Sequence, residues 1–136
     1  MRATFTVAAA REAMERSNEF TWQDHSGILS VMMRAKFPKI LEVHGFVTVI
    51  IGKARGCCNE IGTQALLNVA LAAVRLRVET DVPRPLAWDI AQVLIDRIAD
   101  LNEVDLRQWD EVHRYCGLPP HLRMNTRHGC HRVRSN

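Results

Sequence analysis

The apolar residues between Pro85 and Leu101 recur at steps of three and four, which predicts one long helix. Its buried face would carry Leu86, Ile90, Val93, Leu94, Ile98 and Leu101. Its polar face would carry Asp89, Gln92, Asp96 and Asp100. Pro85 suits the first turn, because its missing N–H loses no intrahelical bond there. We expect this core helix to organise the rest of the chain.

The same periodicity predicts further helices before and after this one. The expected segments are Ala8–Asn18, Trp22–Phe37 after an N-cap at Thr21, Glu60–Val74 after an N-cap at Asn59, and Leu106–Cys116 after an N-cap at Asp105. Such N-caps are favoured because their side chains accept a hydrogen bond from a free backbone amide of the first turn. Gly117 suits the position after the last helix, and the prolines that follow would stop it. The last two helices then form an antiparallel pair joined by a short connection.

Three short segments show strand character instead. Residues 2–7 and 75–82 alternate apolar and polar side chains, the period of a strand with one wet face. Residues 46–51 form a largely β-branched run bounded by two glycines, which favours a buried strand. The pattern therefore predicts an α+β fold, mainly helical, with four to five helices and a small sheet from residues 2–7, 46–51 and 75–82. An all-α bundle is the alternative, in which the helix before residue 75 continues through Arg77.

The length of 136 residues suits one domain, because such a chain buries roughly two-thirds of its unfolded surface in one core. Apolar periodicity ends near Leu118, so we predict a globular domain over residues 1–118 and a basic C-terminal tail over residues 119–136. No apolar run approaches the roughly 20 residues that span a bilayer, and Met1–Ala10 does not resemble a signal peptide. A cytoplasmic protein without membrane contact is expected.

The formal net charge of +3 is distributed unevenly along the chain. Residues 57–116 contain six basic and ten acidic residues, whereas residues 117–136 contain four arginines and no acid. These arginines are Arg123, Arg127, Arg132 and Arg134. Such a cluster favours an acidic protein surface, a nucleoprotein complex or, through phosphate contacts, nucleic acid. No aromatic residue lies among them to stack on bases. A GC-rich genome, in which arginine codons are frequent, would also explain the arginine content.

Five potential zinc ligands lie within sixteen residues of the C-terminal region: Cys116, His121, His128, Cys130 and His131. Zinc prefers four nitrogen or sulfur ligands in a tetrahedron, usually in pairs two to four residues apart. The spacing here matches no zinc finger or ribbon. A Cys/His metal-dependent protein is therefore kept as an alternative, and no metal or cofactor is predicted.

No pattern typical of an enzyme is present. The stretch GFVTVIIGKA resembles a phosphate loop only superficially, because six residues separate its glycines instead of four and Ala54 replaces Ser or Thr. Cys57 and Cys58, beside basic residues and ahead of a helix, would have a lowered pKa if exposed, but burial in the core is the favoured interpretation. Asp24 and His25 read as an exposed pair, because consecutive helical residues do not face each other. We expect no catalytic site.

Trp88 falls off the apolar face of the predicted core helix, beside Arg84 and Asp89. Tryptophan and methionine are enriched at interface centres, so Trp88 could form a partner-binding patch with Met32 and Met33. The competing interpretation is that Trp88 flanks a wide core stripe or meets another helix. We predict a small non-enzymatic interaction protein, a regulator or inhibitor of a bacterial or phage kind. It would dock on a macromolecular partner through an aromatic-apolar patch at Trp88 and through the four tail arginines. The partner's identity and the oligomeric state stay open.

Overall fold

The structure, a computed structural model, describes residues 8, 11–35, 41–76 and 83–124. Within these ranges the chain is helical and forms no strand. The helices are α1 (residues 11–15), α2 (Trp22–Ala35), α3 (Leu41–Arg55), α4 (Thr63–Arg75), α5 (Pro83–Asp96) and α6 (Glu103–Cys116). Short 3-10 turns lie at Ser17–Glu19, Cys58–Glu60, Ile98–Asp100 and Pro120–Leu122. This agrees with the all-α alternative and not with the small sheet.

The centre of the fold is α4, not α5 as the sequence suggested. Every residue from Leu66 to Val74 is buried, and α4 packs against α2, α3, α5 and α6. By contrast, α5 buries one face and leaves the other exposed. A helix that is apolar on nearly all sides is one that other helices surround. The clear amphipathic pattern of α5 therefore marks an outer helix of the bundle.

The predicted strand at residues 46–51 is wrong, because these residues lie inside α3. The buried side chains of α3 are Phe46, Val47, Ile50, Ile51 and Ala54. Their alternating steps of one and three residues are those of a helical face, which packs against α4 and α5. Helix propensity differs little for β-branched residues, so this tertiary burial decides the conformation.

The two other predicted strands lie mostly outside the described residues. Residues 2–7 are outside entirely. In the segment 75–82, Arg75 ends α4 and Leu76 is its C-cap, with the amide of Leu76 bonded to the carbonyl oxygen of Ala72 at 2.9 Å. Residues 77–82 again lie outside the described ranges. The start of this segment is therefore helical.

Two helices begin at reciprocal capping boxes. Thr21 Oγ1 accepts from the amide of Asp24 at 3.1 Å, and the Asp24 carboxylate accepts from the amide of Thr21 at 3.0 Å, which confirms the predicted cap of α2. The cap of α6 is Asn102 and not Asp105. Asn102 Oδ1 accepts from the amide of Asp105 at 2.8 Å, and the Asp105 carboxylate accepts from the amide of Asn102 at 3.1 Å. The predicted cap Asn59 is also wrong, because it lies in a 3-10 turn ahead of α4.

Charged pairs join the outer helices to their neighbours. Arg55 of α3 contacts Asp89 of α5, with Nε and Oδ2 at 2.9 Å. Arg75 of α4 makes a two-pronged contact with Glu111 of α6, at 3.0 and 2.9 Å. Both pairs are partly exposed, so each fixes helix position more than it adds stability.

The packed body continues past residue 118. Leu118, Leu122 and Met124 are buried beside α6. The first six residues of the predicted tail, 119–124, therefore lie on the helical body, and residues 125–136 lie outside the described ranges.

Candidate functional site

The exposed side of α5 carries the tryptophan that the sequence singled out. Arg84, Trp88, Gln92 and Ile95 are all exposed, at steps of four, four and three residues, so they form one stripe along the helix. The exposed fractions of Trp88 and Ile95 are 38% and 44%. These are two of the five large hydrophobic residues exposed in the described part of the chain. Tryptophan on an outer stripe is unusual, because large aromatic side chains are generally well buried.

A pair of buried side chains on α6 fixes the segment that follows this helix. Trp109 Nε1–H donates to the carbonyl oxygen of Leu122 at 2.9 Å. His113 Nε2 bonds to the carbonyl oxygen of Pro119 at 2.8 Å, with the ring nitrogen as donor because a carbonyl can only accept. Trp109 and His113 are one helical turn apart, so they hold the segment at two points. We call this pair the α6 clasp.

The chain reaches the clasp through a left-handed turn. Gly117 has φ +62°, a conformation that L side chains rarely adopt. Its amide bonds to the carbonyl oxygen of Arg114, and the amide of Leu118 bonds to that of His113 at 3.2 Å. This is the common way in which a glycine ends a helix, and the prediction for Gly117 is confirmed. The turn sends residues 118–124 back along the body.

The clasp brings the C-terminal segment to Trp88. The His121 ring lies against Trp88 with the ring centroids 6.4 Å apart and the planes tilted by 60°. Arg84, one turn before Trp88, donates to the carbonyl oxygen of Gly117 at 3.3 Å. Arg123 follows two residues after His121 and is exposed. We call the set Arg84, Trp88, Ile95, His121 and Arg123 the Trp88 patch.

Only one of the four predicted tail arginines lies in the described ranges. Arg123 is exposed and makes no ion pair with any carboxylate that the structure describes. Arg127, Arg132 and Arg134 lie outside the described residues, and their role stays a prediction.

The structure describes two of the five potential zinc ligands. Cys116 is buried, and burial raises the pKa of its thiol to about 11. His121 is exposed and faces Trp88. No group of three or more His, Cys, Asp or Glu residues in the described ranges is placed to hold a metal ion. His128, Cys130 and His131 lie outside those ranges.

The two adjacent cysteines differ in burial. Burial raises the pKa of the Cys58 thiol, and its Sγ–H donates to the carbonyl oxygen of Ala54 at 3.1 Å. Cys57 is half-buried and donates to the carbonyl oxygen of Lys53 at 3.3 Å. A thiol with a raised pKa is a poor nucleophile at neutral pH, because the thiolate is the reactive form. For Cys58 the core interpretation is the one that the geometry supports.

His25 is buried, so the interpretation of Asp24 and His25 as an exposed pair is wrong for the histidine. It is 2% exposed and lies among the rings of Phe20, Trp22 and Phe46, at centroid distances of 5.9, 5.2 and 6.1 Å. Burial lowers the pKa of its imidazole, and the nearby Lys53 ammonium lowers it further. The sequence could not show this, since Phe46 arrives from another helix. His25 is a core residue.

The sequence missed two parts of the Trp88 patch. Ile95 could have been found from the sequence, because it is a large apolar residue that falls outside the predicted apolar face of α5, seven residues after Trp88. The contact of His121 with Trp88 has no sequence signal, since it depends on the α6 clasp.

No helix in the described ranges is both long and apolar enough to cross a membrane. No protein-family model, curated protein or solved structure matches the chain.

Proposed function

We propose that this chain is a small non-enzymatic interaction protein, of the regulator or inhibitor kind, that docks on an acidic protein surface. The docking elements are the Trp88 patch and the arginines that follow residue 122. The observation that carries the proposal is the contact between Trp88 and His121, two residues before Arg123. It places His121, two residues before the first of these arginines, against an exposed aromatic side chain.

The Trp88 side chain is suited to be the anchor of such an interface. Burying its exposed 38% would remove about 95 Å² from water if a whole tryptophan offers about 250 Å², which corresponds to about 2 kcal/mol. Ile95 adds apolar area two turns along the same stripe. Binding energy in interfaces concentrates in a few such residues, with tryptophan and arginine prominent among them.

Charge would supply orientation and speed of association. Residues 117–136 carry four arginines and no acid, in a chain whose formal net charge is +3. A positive patch beside an apolar anchor steers an acidic partner into register, and salt screens this effect over about 8 Å at physiological ionic strength. We therefore propose a partner that offers an apolar pocket flanked by Asp or Glu residues.

The test is a comparative capture experiment with the full-length chain. Wild type, Trp88→Ala, Arg123→Ala and Val31→Ala are immobilised and exposed to bacterial lysate with and without nuclease treatment. Val31 is the matched control, because it is 53% exposed on α2 and outside the Trp88 patch. Captured proteins are identified by mass spectrometry, and the binding of each purified candidate is then measured against the four chains at two salt concentrations.

The proposal expects an acidic protein that wild type and Val31→Ala retain equally. Trp88→Ala should weaken its binding about thirtyfold, the equivalent of about 2 kcal/mol. Arg123→Ala should slow association and reduce the salt dependence. Equal capture by wild type and Trp88→Ala would overturn the proposal. Capture that disappears with nuclease would favour the nucleic-acid alternative instead.

A further inference from the structure

The outer side of α6 carries a line of alternating charges that the Trp88 patch does not use. Glu103, Arg107, Asp110 and Arg114 follow one another at steps of four, three and four residues, so they lie in one line along the helix. Their signs read minus, plus, minus, plus. We call them the charged stripe. The buried side of the same helix is formed by Trp109, Val112, His113 and Cys116.

A second line runs beside it and has an apolar residue at each end. Val104 and Tyr115 are 51% and 37% exposed, and eleven residues separate them, which is about three turns or about 16 Å. Gln108 and Glu111 lie between them. Both end residues therefore point to the same side of the helix.

The charged stripe is complementary to a second copy of itself that runs in the opposite direction. If a second copy of α6 runs antiparallel across the first about a two-fold axis, Glu103 meets Arg114 of the second copy and Arg107 meets Asp110. The same axis places Val104 against Tyr115 of the second copy. In a parallel arrangement each charge would instead meet its own kind. An interface between identical chains is self-complementary in this manner when a two-fold axis relates them.

On this surface Asp110 and Arg114 pair with each other, with Oδ2 and Nη2 at 3.1 Å, whereas two other polar groups have no partner within the described residues. The structure gives Arg107 no ion pair or hydrogen bond, and the side-chain oxygen of Gln108 is buried without a hydrogen-bond partner. They line a groove of about 470 Å³ between α4 and α6, together with Val104 and Arg114. A buried amide oxygen without a donor is costly. The exposed guanidinium of Arg107 can pair with a carboxylate of a second copy.

We propose that two copies of this chain associate through α6, antiparallel about a two-fold axis close to Gln108. The Trp88 patch is a separate set of residues on α5 and the segment after α6, so each dimer would present two of them. The fourteen-residue α6 is about 21 Å long, and one helix face buries less than the roughly 800 Å² per partner of a standard interface. Association is therefore weak, concentration-dependent and sensitive to salt.

The decisive experiment exchanges the charges of the stripe. Arg107→Glu combined with Arg114→Glu makes the stripe wholly acidic, and Glu103→Arg combined with Asp110→Arg makes it wholly basic. Sedimentation equilibrium is measured for wild type, for each double variant and for their equimolar mixture, up to about 200 µM chain, where weak dimers are populated. Far-UV circular dichroism verifies that each variant is folded. Trp88→Ala is the control for the other exposed face.

Wild type and Trp88→Ala should rise with concentration from 15.5 kDa toward about 31 kDa, twice the mass of one chain. Each double variant alone should stay at 15.5 kDa, because like charges then face each other. The mixture should recover the dimer. A monomeric wild type over the whole range would overturn the proposal. So would a mixture that stays monomeric, or a wild-type dimer that only Trp88→Ala abolishes.

Discussion

Trp109→Phe should release the C-terminal segment from the body without unfolding the bundle. Phenylalanine keeps an aromatic ring in the core but removes the indole N–H that bonds to the carbonyl oxygen of Leu122 at 2.9 Å. Residues 118–124 would then be held by His113 and by their own apolar contacts. Because the clasp places His121 against Trp88, this substitution tests how the Trp88 patch is assembled.

The expected loss follows from the hydrogen bond and the group that it leaves behind. A typical hydrogen bond contributes about 1 kcal/mol net, and a buried carbonyl left without a donor costs about 1–3 kcal/mol. Each 1.4 kcal/mol changes an equilibrium constant about tenfold. The amides of Leu122 and Arg123, which bond within the 3-10 turn to the oxygens of Pro119 and Pro120, should therefore exchange at least about tenfold faster.

Hydrogen exchange followed by mass spectrometry measures this directly. Trp22→Phe is the matched control, because Trp22 is half-buried beside His25 and the structure gives its indole N–H no hydrogen bond. It should leave exchange at residues 118–124 unchanged. The explanation of the clasp fails if Trp109→Phe accelerates exchange in α4 as much as at residues 118–124, or does not accelerate it in either.

Three further predictions concern stability. His25→Leu should weaken the dependence of the urea midpoint on pH between pH 7.5 and 5. Burial lowers the pKa of His25 below its ordinary 6.5, so the wild type keeps the full contribution above pH 6.5 and loses stability as the pH falls toward the folded-state pKa. Equal slopes of urea midpoint against pH for both chains would contradict this. Gly117→Ala should cost about 1–2 kcal/mol through its φ of +62°, whereas Gly27→Ala, inside α2 with open space around the added methyl group, should cost nothing in thermal unfolding; similar losses at both sites would refute the conformational argument. Asn102→Ala should cost about 0.5–2 kcal/mol by breaking the capping box and Asn59→Ala almost nothing, so the reverse order in urea unfolding would restore the cap first predicted at Asn59.

The sequence predicted the outer helices better than the centre. The faces of α5 and α6 are amphipathic, and Gly117 marks the end of α6, so pattern and position agree. In α3 the β-branched residues and flanking glycines suggested a strand, although Phe46, Val47, Ile50 and Ile51 already had helical spacing. The central position of α4 could not be predicted from its own sequence, because it depends on the helices that pack around it. The cap at Asn102 had a sequence signal, since Asp105 stands three residues later.

The Trp88 patch could be predicted only in part. Residue type and local charge predict Trp88 and Arg123. Ile95 could have been added to them, because it lies on the polar side of α5. The contact of His121 with Trp88 follows from a tryptophan indole bonding to a backbone oxygen thirteen residues away, which no local pattern encodes. The burial of His25 has the same origin, because Phe46 and Phe20 reach it from other elements.

The most direct test of the docking proposal is site-specific photo-crosslinking. Benzoylphenylalanine replaces Gln92, which lies between Trp88 and Ile95 on the exposed side of α5, or Val31 on the exposed side of α2. After irradiation in a nuclease-treated lysate, position 92 should give a defined crosslink to one acidic protein, and position 31 should give none. High salt should suppress this crosslink, and so should the substitution Trp88→Ala in the same chain. Crosslinks to the same proteins from both positions, or none from position 92, would contradict the proposal that this side of the molecule binds a partner.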